Sequence, residues 1–312
     1  MRRSIIIDCD PGVDDCIALM AALGSPKELD IRAICVVAGN VPVETCYRNA
    51  RGVLALAGRE DVPVYAGCER PLSVEPAFAD HVHGESGLGG AVLPDSAAPL
   101  SGLHAVDYLC ETFGNAAPGS ITMVITGPMT NLATALARDP KIAAAVDELV
   151  IMGGAGTEGG NVTPHAEFNV FADPHAAEIV LNCGRPITLI GLDATLQFRC
   201  TANRMQRMLA SPHSAVAAAS DMIAHVNAVY GEIYGAEGAA LHDPCTIGYL
   251  LAPELFKVEM VRVSVVCDNA ERRGHTAVQA PSSISDGAVI GWVTGLDAQP
   301  LFNLLIDRME RL

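Results

Sequence analysis

The sequence predicts an α/β fold with an open, mostly parallel β-sheet covered by helices on both faces. Short apolar runs alternate with stretches whose apolar residues recur at helical spacing, as expected when strands and helices follow one another. Half of the 312 residues are hydrophobic and 29 are glycine, a composition that suits buried parallel strands joined by tight turns. No repeat or clear linker divides the sequence, so we expect a single domain over residues 1–312, with its active site at the carboxyl ends of the strands.

The predicted elements alternate regularly in the first two thirds of the chain. Residues 4–7 form a strand, and residues 14–23 form a helix that ends at Gly24-Ser25-Pro26. Long polar loops at 69–104 and 154–170 interrupt the alternation, and loops of this length in a compact domain are usually functional or disordered. The other predicted elements are strand 31–38, helix 44–57, strand 121–126, helix 130–137, strand 148–152, helix 174–181, strand 186–190, the core strand 289–293 with Trp292, and a hairpin of 261–266 with 276–279.

Charge and cysteine content exclude several classes of partner. The chain has 20 basic and 36 acidic residues, a net charge of -16, which disfavours nucleic acid and anionic membranes and favours a metal or a small neutral or cationic ligand. We see neither a signal peptide nor an apolar run long enough to span a bilayer. The 10 cysteines lack metal-site spacing and are predicted to be reduced and mostly buried, consistent with the cytoplasm.

Four aspartates follow the first predicted strand within eight residues: Asp8, Asp10, Asp14 and Asp15. Ligands of open α/β sheets bind outside the carboxyl ends of the strands, so this position indicates a functional site. Carboxylates this close repel one another strongly unless a cation is present. An all-oxygen donor set suits Ca²⁺ or Mg²⁺ rather than zinc.

Aspartate before proline is also a common start of a helix, because Asp caps the helix and Pro fits its first position. The chain has four such pairs, beginning at Asp10, Asp139, Asp173 and Asp243. At least two of them are expected to be caps or turns alone. The density of carboxylates around Asp10 favours a site at that pair.

A second polar segment covers residues 160–169. Pro164 disfavours a helix, so Glu167 and Asn169, two residues apart, are predicted to face the same way from an extended chain. Together with Asn161 they offer the donors and acceptors that would hold several sugar hydroxyls. The alternative is a solvated polar loop.

Two histidine-containing segments complete the set of polar motifs. In 240–245, His242 could donate a proton near neutral pH, or it could be a structural histidine with satisfied hydrogen bonds. Segment 81–89 contains His81 and His83 and is glycine-rich enough to move as a lid. A metal site at these two histidines is disfavoured, because no third soft ligand accompanies them.

Together these stretches resemble the nucleoside hydrolase family, the inosine–uridine preferring, calcium-dependent N-ribohydrolases. The resemblance is specific because several motifs occur in the same order and at family-like separations. One departure is Gln279, which stands where an acidic residue usually follows the family's Arg-Gly-x-Thr motif. The matching motifs are Asp8-Cys9-Asp10-Pro11-Gly12-Val13-Asp14-Asp15, Gly39-Asn40, Thr126-Gly127-Pro128, Thr130-Asn131-Leu132, Met152-Gly153-Gly154, Gly160-Asn161 to Asn169, and Leu241-His242-Asp243-Pro244.

The resemblance implies an activity and a role for each matching residue. It implies that a Ca²⁺-bound water splits a ribonucleoside into ribose and free base through an oxocarbenium-like transition state. Asp10 resembles the general base, His242 the histidine that assists departure of the base, and His83 the lid histidine. The implied calcium ligands are the carboxylates of Asp10, Asp15 and Asp243 and the backbone carbonyl of Thr126. The implied ribose pocket consists of Asp14, Asn40, Met152, Asn161, Glu167 and Asn169.

The base-binding part of the site is less defined by the sequence. Tyr230 and Tyr234, four residues apart in a predicted helix, could stack on the base or donate to it, or they could pack beneath the site. The sequence does not decide whether purine or pyrimidine nucleosides are the preferred substrates. Because members of the family form dimers or tetramers, the resemblance implies a homodimer or homotetramer that acts in nucleoside salvage.

Other functions fit the sequence less well. Asp-nucleophile phosphohydrolases also place Asp-x-Asp after the first strand, with Mg²⁺, but they continue with Thr or Val rather than Pro-Gly. They also need a basic residue for phosphate, and none lies near the polar clusters. A non-catalytic metal-binding or nucleoside-binding protein is disfavoured because Asp10 and His242 are both present. A receiver-type signalling domain is much shorter than 312 residues.

Overall fold

Runs of β-branched and other apolar residues form the strands of this protein, as their intrinsic preferences favour. The structure is a computed structural model that describes residues 2–234, 237–284 and 286–312, apart from the side chains of Ile233 and Tyr234. Within these residues, the strands are β1 (Arg3–Cys9), β2 (Leu29–Val36), β3 (Val64–Ala66), β4 (Ile121–Ile125), β5 (Val146–Met152), β6 (Ile187–Ile190), β7 (Phe256–Val265), β8 (Thr276–Gln279) and β9 (Ala288–Leu296).

Helices connect most of the strands. None of them, in the part of the chain that the structure describes, is long and apolar enough to cross a membrane. Two short 3₁₀ helices, Pro140–Ala145 and Pro253–Leu255, supplement them. The α-helices are α1 (Val13–Leu23), α2 (Val43–Leu56), α3 (Asp80–His83), α4 (Ala105–Asn115), α5 (Thr130–Arg138), α6 (Phe168–Ala172), α7 (Pro174–Leu181), α8 (Leu192–Thr195), α9 (Ala202–Leu209), α10 (Ser214–Tyr234), α11 (Pro244–Leu251) and α12 (Ala298–Met309).

The strands form one sheet in the order β3-β2-β1-β4-β5-β6-β9-β7-β8. Neighbours from β3 to β9 are parallel, whereas β7 pairs antiparallel with both β8 and β9. The predicted α/β class with an open, mostly parallel sheet is therefore confirmed, and β7 with β8 is the predicted hairpin. The direction of strand order reverses between β1 and β4, so their carboxyl ends flank the crevice where open α/β sheets bind ligands.

Alternate residues of the central strands enter two apolar layers, one on each face of the sheet. Ile5 and Ile7 of β1 pack with α1, α10, α11 and α12, whereas Ile6 packs with α4, α5 and α7 on the opposite face. Burial of each of these side chains contributes about 2 kcal/mol. Trp292 of β9 is buried in the second layer, as the sequence predicts. These layers hold β1 and β4 rigidly, and with them the residues at their carboxyl ends.

The four Asp-Pro pairs separate into caps and candidate ligands, as expected. Asp139 accepts a hydrogen bond from the backbone N–H of Lys141 and caps the first 3₁₀ helix. Asp173 caps α7 by accepting from the N–H of Ala176. Asp243 precedes α11 without capping it, and the loop at Asp10 leads into a helix whose cap residue is Gly12.

Asp173 is expected to be important for stability. It is fully buried, and its carboxylate also accepts from the Thr130 hydroxyl at 2.8 Å and the Leu72 N–H at 2.9 Å. An Asp173→Asn substitution presents an amide N–H₂ to these donors, so we expect it to reduce the free energy of unfolding by about 2–3 kcal/mol. Asp139→Asn is the matched control, because Asp139 is exposed and asparagine caps nearly as well. Equal stability of the two variants in urea unfolding would contradict the prediction.

Candidate active site

A pocket opens at the carboxyl ends of the central strands, between α1, α3, the loop after β5, and α10. Asp10 and Asp15 lie behind its floor and are 0% exposed. The side chain of Tyr234, one of the two tyrosines proposed for base contact, lies outside the described part of the chain. The pocket is lined by the other predicted site residues, Asp14, Asn40, His83, Thr126, Met152, Asn161, Glu167, Asn169, Tyr230, His242 and Asp243.

The turn between β1 and α1 is fixed by the Asp15 carboxylate. Its Oδ2 accepts the N–H of Gly12 at 3.1 Å and the side-chain amide of Asn40 at 3.0 Å. Its Oδ1 accepts the hydroxyl of Thr126 at 2.7 Å. Asp15 therefore ties the end of β1 to the loops that follow β2 and β4, which explains why motifs far apart in sequence meet in one site.

Asp10 is held close to two glycines. Its Oδ2 accepts the backbone N–H of Asn40 at 2.7 Å, whereas its Oδ1 is buried without a hydrogen-bond partner among the described residues. A Cβ at Gly127 would lie 2.6 Å from Oδ1, and one at Gly39 would collide with the carboxylate. Glycine is thus required at both positions because the backbone passes directly against Asp10. The unpartnered oxygen indicates a ligand at this point.

The carboxylates form a cluster that could bind a metal. One oxygen from each of Asp14, Asp15 and Asp243 lies within 4.8 Å of the others, and all three residues are buried. Burial and the neighbouring Asp14 raise the pKa of Asp15 to about 6. Burial and the charge of Asp15 raise the pKa of Asp10 well above its usual range. Burial and the charge of Asp14 raise the pKa of Asp243 in the same way.

The negative charge of this cluster is not balanced by the protein. Among the described residues, no Lys or Arg forms an ion pair with any of its aspartates. Buried charges are normally paired or bound to metal. An all-oxygen donor set with an orphaned carboxylate oxygen therefore fits a hard divalent cation such as Ca²⁺ or Mg²⁺.

Glu167 is the N-cap of α6 and has an extended backbone, but the predicted extended chain is wrong from Phe168 onward, where the helix begins. Its Oε1 accepts from the N–H of Asn169, and its Oε2 accepts from the N–H groups of Val170 and Gly154, which makes it the cap of α6. Pro164 lies in a turn upstream of the cap and does not prevent the helix. Burial raises the pKa of Glu167, although these backbone donors oppose the rise.

Two asparagines line the pocket beside Glu167 with fixed orientations. The Asn169 side-chain amide donates to the carbonyls of Thr126 at 2.7 Å and Met152 at 3.2 Å. Asn161 Oδ1 accepts the N–H of Phe168 at 2.9 Å. Among the described residues, no hydrogen bond engages the side-chain carbonyl oxygen of Asn169 or the amide of Asn161. These are one acceptor and one donor of the kind that binds sugar hydroxyls.

His83 contacts the start of α1 through a hydrogen bond. Its Nδ1 accepts the backbone N–H of Val13 at 3.1 Å, which places the ring proton on Nε2. Burial lowers the pKa of His83, so the ring is neutral near pH 7. Asn49 donates to the carbonyls of Pro11 at 2.9 Å and Ser86 at 2.8 Å, and so ties the predicted lid segment to the aspartate turn.

His242 connects the acidic cluster to α10. Its backbone N–H donates to Asp14 Oδ2 at 3.3 Å, and its Nε2 lies 3.2 Å from the hydroxyl of Tyr230. Its Nδ1 lies 2.7 Å from the hydroxyl of Thr195. Burial lowers the pKa of His242, although the charge of Asp14 opposes the shift. The imidazole thus stands between a buried threonine and a tyrosine in the pocket wall.

The family can be assigned from the whole chain. The sequence model of the family described as inosine-uridine preferring nucleoside hydrolase matches residues 5–303. The chain belongs to this family. This nucleoside hydrolase is 42% identical over 310 residues to the pyrimidine-specific ribonucleoside hydrolase RihA of Photobacterium profundum, with 99% of each chain covered. Like the other members of the family, this protein is an enzyme that hydrolyses the N-glycosidic bond of nucleosides.

Solved structures agree with the assignment. A plant nucleoside hydrolase, PpNRh1, matches this nucleoside hydrolase with a TM-score of 0.92 at 33% identity, covering 99% of both chains. The purine-preferring ribonucleoside hydrolase from Gardnerella vaginalis matches with a TM-score of 0.90 at 31% identity, covering 99% of this chain and 98% of the other. The fold is therefore shared with two solved nucleoside hydrolases, one of which is named for a preference for purines.

Sequence reasoning missed two residues of this nucleoside hydrolase that support the site, Thr195 and Asn49, and it did not predict the contacts of Asn131 and Asp193. Thr195 lies in a helix of four residues and belongs to none of the motifs considered. Asn131 donates to the buried carboxylate of Asp8 at 2.8 Å, and Asn49 joins two loops from the side of a helix. Asp193 accepts from the N–H of Gly156 and so anchors the loop after β5. For Thr195 and Asn49 the only sequence signal is a polar side chain within a predominantly buried region of the chain.

Proposed function

We propose that this pocket hydrolyses ribonucleosides to ribose and free base, with Ca²⁺ as the resident cation. The observation that carries the proposal is the buried, unpartnered Oδ1 of Asp10, on a carboxyl group close enough to Asp15 and Asp14 to be influenced by their charges. Asp14 and Asp15 form with Asp243 the group that could hold a cation. A buried carboxylate oxygen without a donor is suited to take a proton from water held at the same point. We therefore assign Asp10 as the general base.

Asp10, Asp15 and Asp243 would hold the cation through their carboxylates, and Thr126 would hold it through its backbone carbonyl. The side chain of Asp14 belongs to the same cluster and would face both the cation and the sugar. The Thr126 carbonyl already accepts from Asn169 but has a second lone pair for a metal. When bound, the ion supplies Lewis-acid chemistry that makes water more acidic and orients the ribose hydroxyls.

The sugar end of the pocket would bind and polarise the ribose. Asn161 and Asn169 offer the donor and acceptor described above, and the buried carboxylate of Glu167 lies beside them. Asn40 and Met152 complete the wall. Cleavage of the N-glycosidic bond creates positive charge on the sugar, and a surround of carboxylates and carbonyls stabilises that charge as it develops.

The leaving base would meet the opposite end of the pocket, which His83, His242 and Tyr230 line. His242 would donate a hydrogen bond from a ring N–H to the departing base, and the Nε2–H of His83 would donate another. The name of the Photobacterium profundum relative supports uridine and cytidine as the preferred substrates. The family resemblance supports a homodimer or homotetramer, and ten free cysteines support a cytoplasmic enzyme of nucleoside salvage.

The experiment that tests this function identifies the products. Purified protein is incubated with uridine, cytidine, inosine and adenosine in phosphate-free buffer, and ribose and free base are measured by mass spectrometry. Hydrolysis predicts equimolar base and ribose, with uridine and cytidine cleaved fastest. If folded, calcium-loaded protein releases no base from any of the four, the proposed function fails.

A further inference from the structure

A fully buried threonine contacts the histidine of the pocket from behind. Thr195 is the last residue of α8, the short helix after β6, and is 0% exposed. Its Oγ1 lies 2.7 Å from Nδ1 of His242 and forms no other hydrogen bond within the described residues. The opposite ring nitrogen, Nε2, lies 3.2 Å from the Tyr230 hydroxyl. The imidazole therefore has one partner in the core and one in the pocket wall.

The position of the hydroxyl proton decides which tautomer this arrangement favours. A buried O–H without an acceptor is unfavourable, and Nδ1 of His242 is the acceptor within reach of the Thr195 hydroxyl. Thr195 therefore donates to Nδ1 of the neutral ring, whose own proton is then on Nε2. Nε2–H is the group that faces Tyr230 and the base end of the pocket.

We propose that Thr195 is a positioning residue that holds the His242 imidazole with its Nε2–H directed toward the leaving base. This inference rests on the proposed function, because it assigns to His242 the hydrogen bond that the leaving base receives as the N-glycosidic bond breaks. The attacking water gives its hydroxyl to ribose and a proton to Asp10, and the departing base takes its proton from solvent. Thr195 itself does not contact the substrate.

Loss of the Thr195 hydroxyl leaves the ring without its partner in the core. Tyr230 is half-buried on the pocket side and would then be the one side-chain hydrogen-bond partner of the imidazole among the described residues. A hydroxyl can both donate and accept, so Tyr230 accommodates either tautomer. The ring would then populate the Nδ1–H tautomer or a rotated position, and neither presents a proton to the base. Small errors of position in a catalytic group reduce the rate strongly.

Substituting Thr195 with valine and with serine tests the proposal. Thr195→Val keeps the shape and removes the hydroxyl, and we expect it to lower kcat for uridine about tenfold with KM changed by less than about twofold. Thr195→Ser keeps the hydroxyl and is expected to retain kcat within about threefold of the parent. A riboside with a nitrophenolate leaving group needs no hydrogen bond to that group, so both variants are expected to cleave it at the parent rate.

Two kinetic outcomes would overturn the proposal. Equal loss of kcat on uridine and on the nitrophenyl riboside in Thr195→Val would indicate a general packing defect. Unchanged kcat on uridine would show that the hydroxyl is dispensable. In a His242→Ala background, Thr195→Val is expected to cause no further loss of rate, because the group that it positions is already absent.

A spectroscopic measurement separates this proposal from the proposed function. Long-range ¹H–¹⁵N correlation spectra of ¹⁵N-histidine-labelled protein report which nitrogen of His242 carries the proton, and His242→Ala assigns its signals. We expect Nε2–H in the parent and in Thr195→Ser, and a larger share of Nδ1–H in Thr195→Val. The same tautomer in all three proteins would overturn the positioning role. If the parent cleaves no nucleoside, the proposed function fails, and these spectra still decide whether Thr195 orients the ring.

Discussion

An Asp10→Asn substitution is expected to lower kcat for uridine by about three orders of magnitude, the contribution of a well-placed general base. Asparagine fills the same space, and its Oδ1 can still accept the N–H of Asn40. Its neutral amide cannot take a proton. The substitution also removes one of the mutually repelling charges, so we expect metal-free Asp10→Asn to melt a few degrees above the metal-free parent. Steady-state kinetics and thermal unfolding measure the two effects.

Asp173→Asn is the matched control for this prediction, because both positions carry a fully buried aspartate. Asp173 accepts three hydrogen bonds at a helix start and is not among the residues that line the pocket. Its asparagine variant is expected to lose stability and to keep kcat within about twofold at temperatures well below its midpoint. An Asp10→Asn variant with near-parent activity would contradict the assignment of Asp10 as the base.

Removal of the cation is expected to destabilise the protein, and more at high pH than at low pH. Burial and Asp14 raise the pKa of Asp15 to about 6 in the metal-free protein, against 3.8 for an unperturbed aspartate. The folded state therefore binds more protons than the unfolded state between these values, and stability falls as the pH rises through this window. At pH values above this window, the raised pKa of Asp15 alone lowers the free energy of unfolding by about 3 kcal/mol. A bound divalent cation offsets this loss by neutralising the carboxylates.

Thermal unfolding of metal-stripped protein, with and without added Ca²⁺, measures this effect. At about pH 8 we expect Ca²⁺ to raise the melting temperature by about 5–10 °C, and at about pH 4.5 by much less because protons then compete for the same oxygens. Asp173→Asn serves as a control that leaves the cluster intact, so its response to Ca²⁺ should equal that of the parent. A melting temperature that does not change with Ca²⁺ at the higher pH would contradict a cation site in this cluster.

The fold was predictable from sequence because the dominant signals are long and apolar. The runs that become β1, β4 and β5 are buried on both faces, so their hydrophobic pattern is continuous and their length separates them from helices. The three-residue strand β3 and the four-residue helices α3 and α8 were not predicted. Elements this short carry too few residues for a periodic pattern, and tertiary contacts determine them.

The site was predictable to the extent that its residues belong to dense motifs. Asp10, Asp14 and Asp15 are close in sequence, so local geometry alone places them together. The backbone after Glu167 was predicted wrongly, because the Glu167 side chain caps a helix that begins at Phe168, beyond the influence of Pro164. Thr195 could not be found, because its contact with His242 spans 47 residues and depends on how β6 and α10 pack.

The most direct test of the central claim is ribose release from uridine by the same protein preparation before and after its metal is restored. Metal-stripped protein is expected to release ribose at no more than about one hundredth of the restored rate, and Ca²⁺ to recover the activity in full. Parallel circular dichroism verifies that the stripped protein is folded. Full activity of the stripped protein, or no ribose release from folded protein saturated with Ca²⁺, would contradict a cation-assisted ribonucleoside hydrolase.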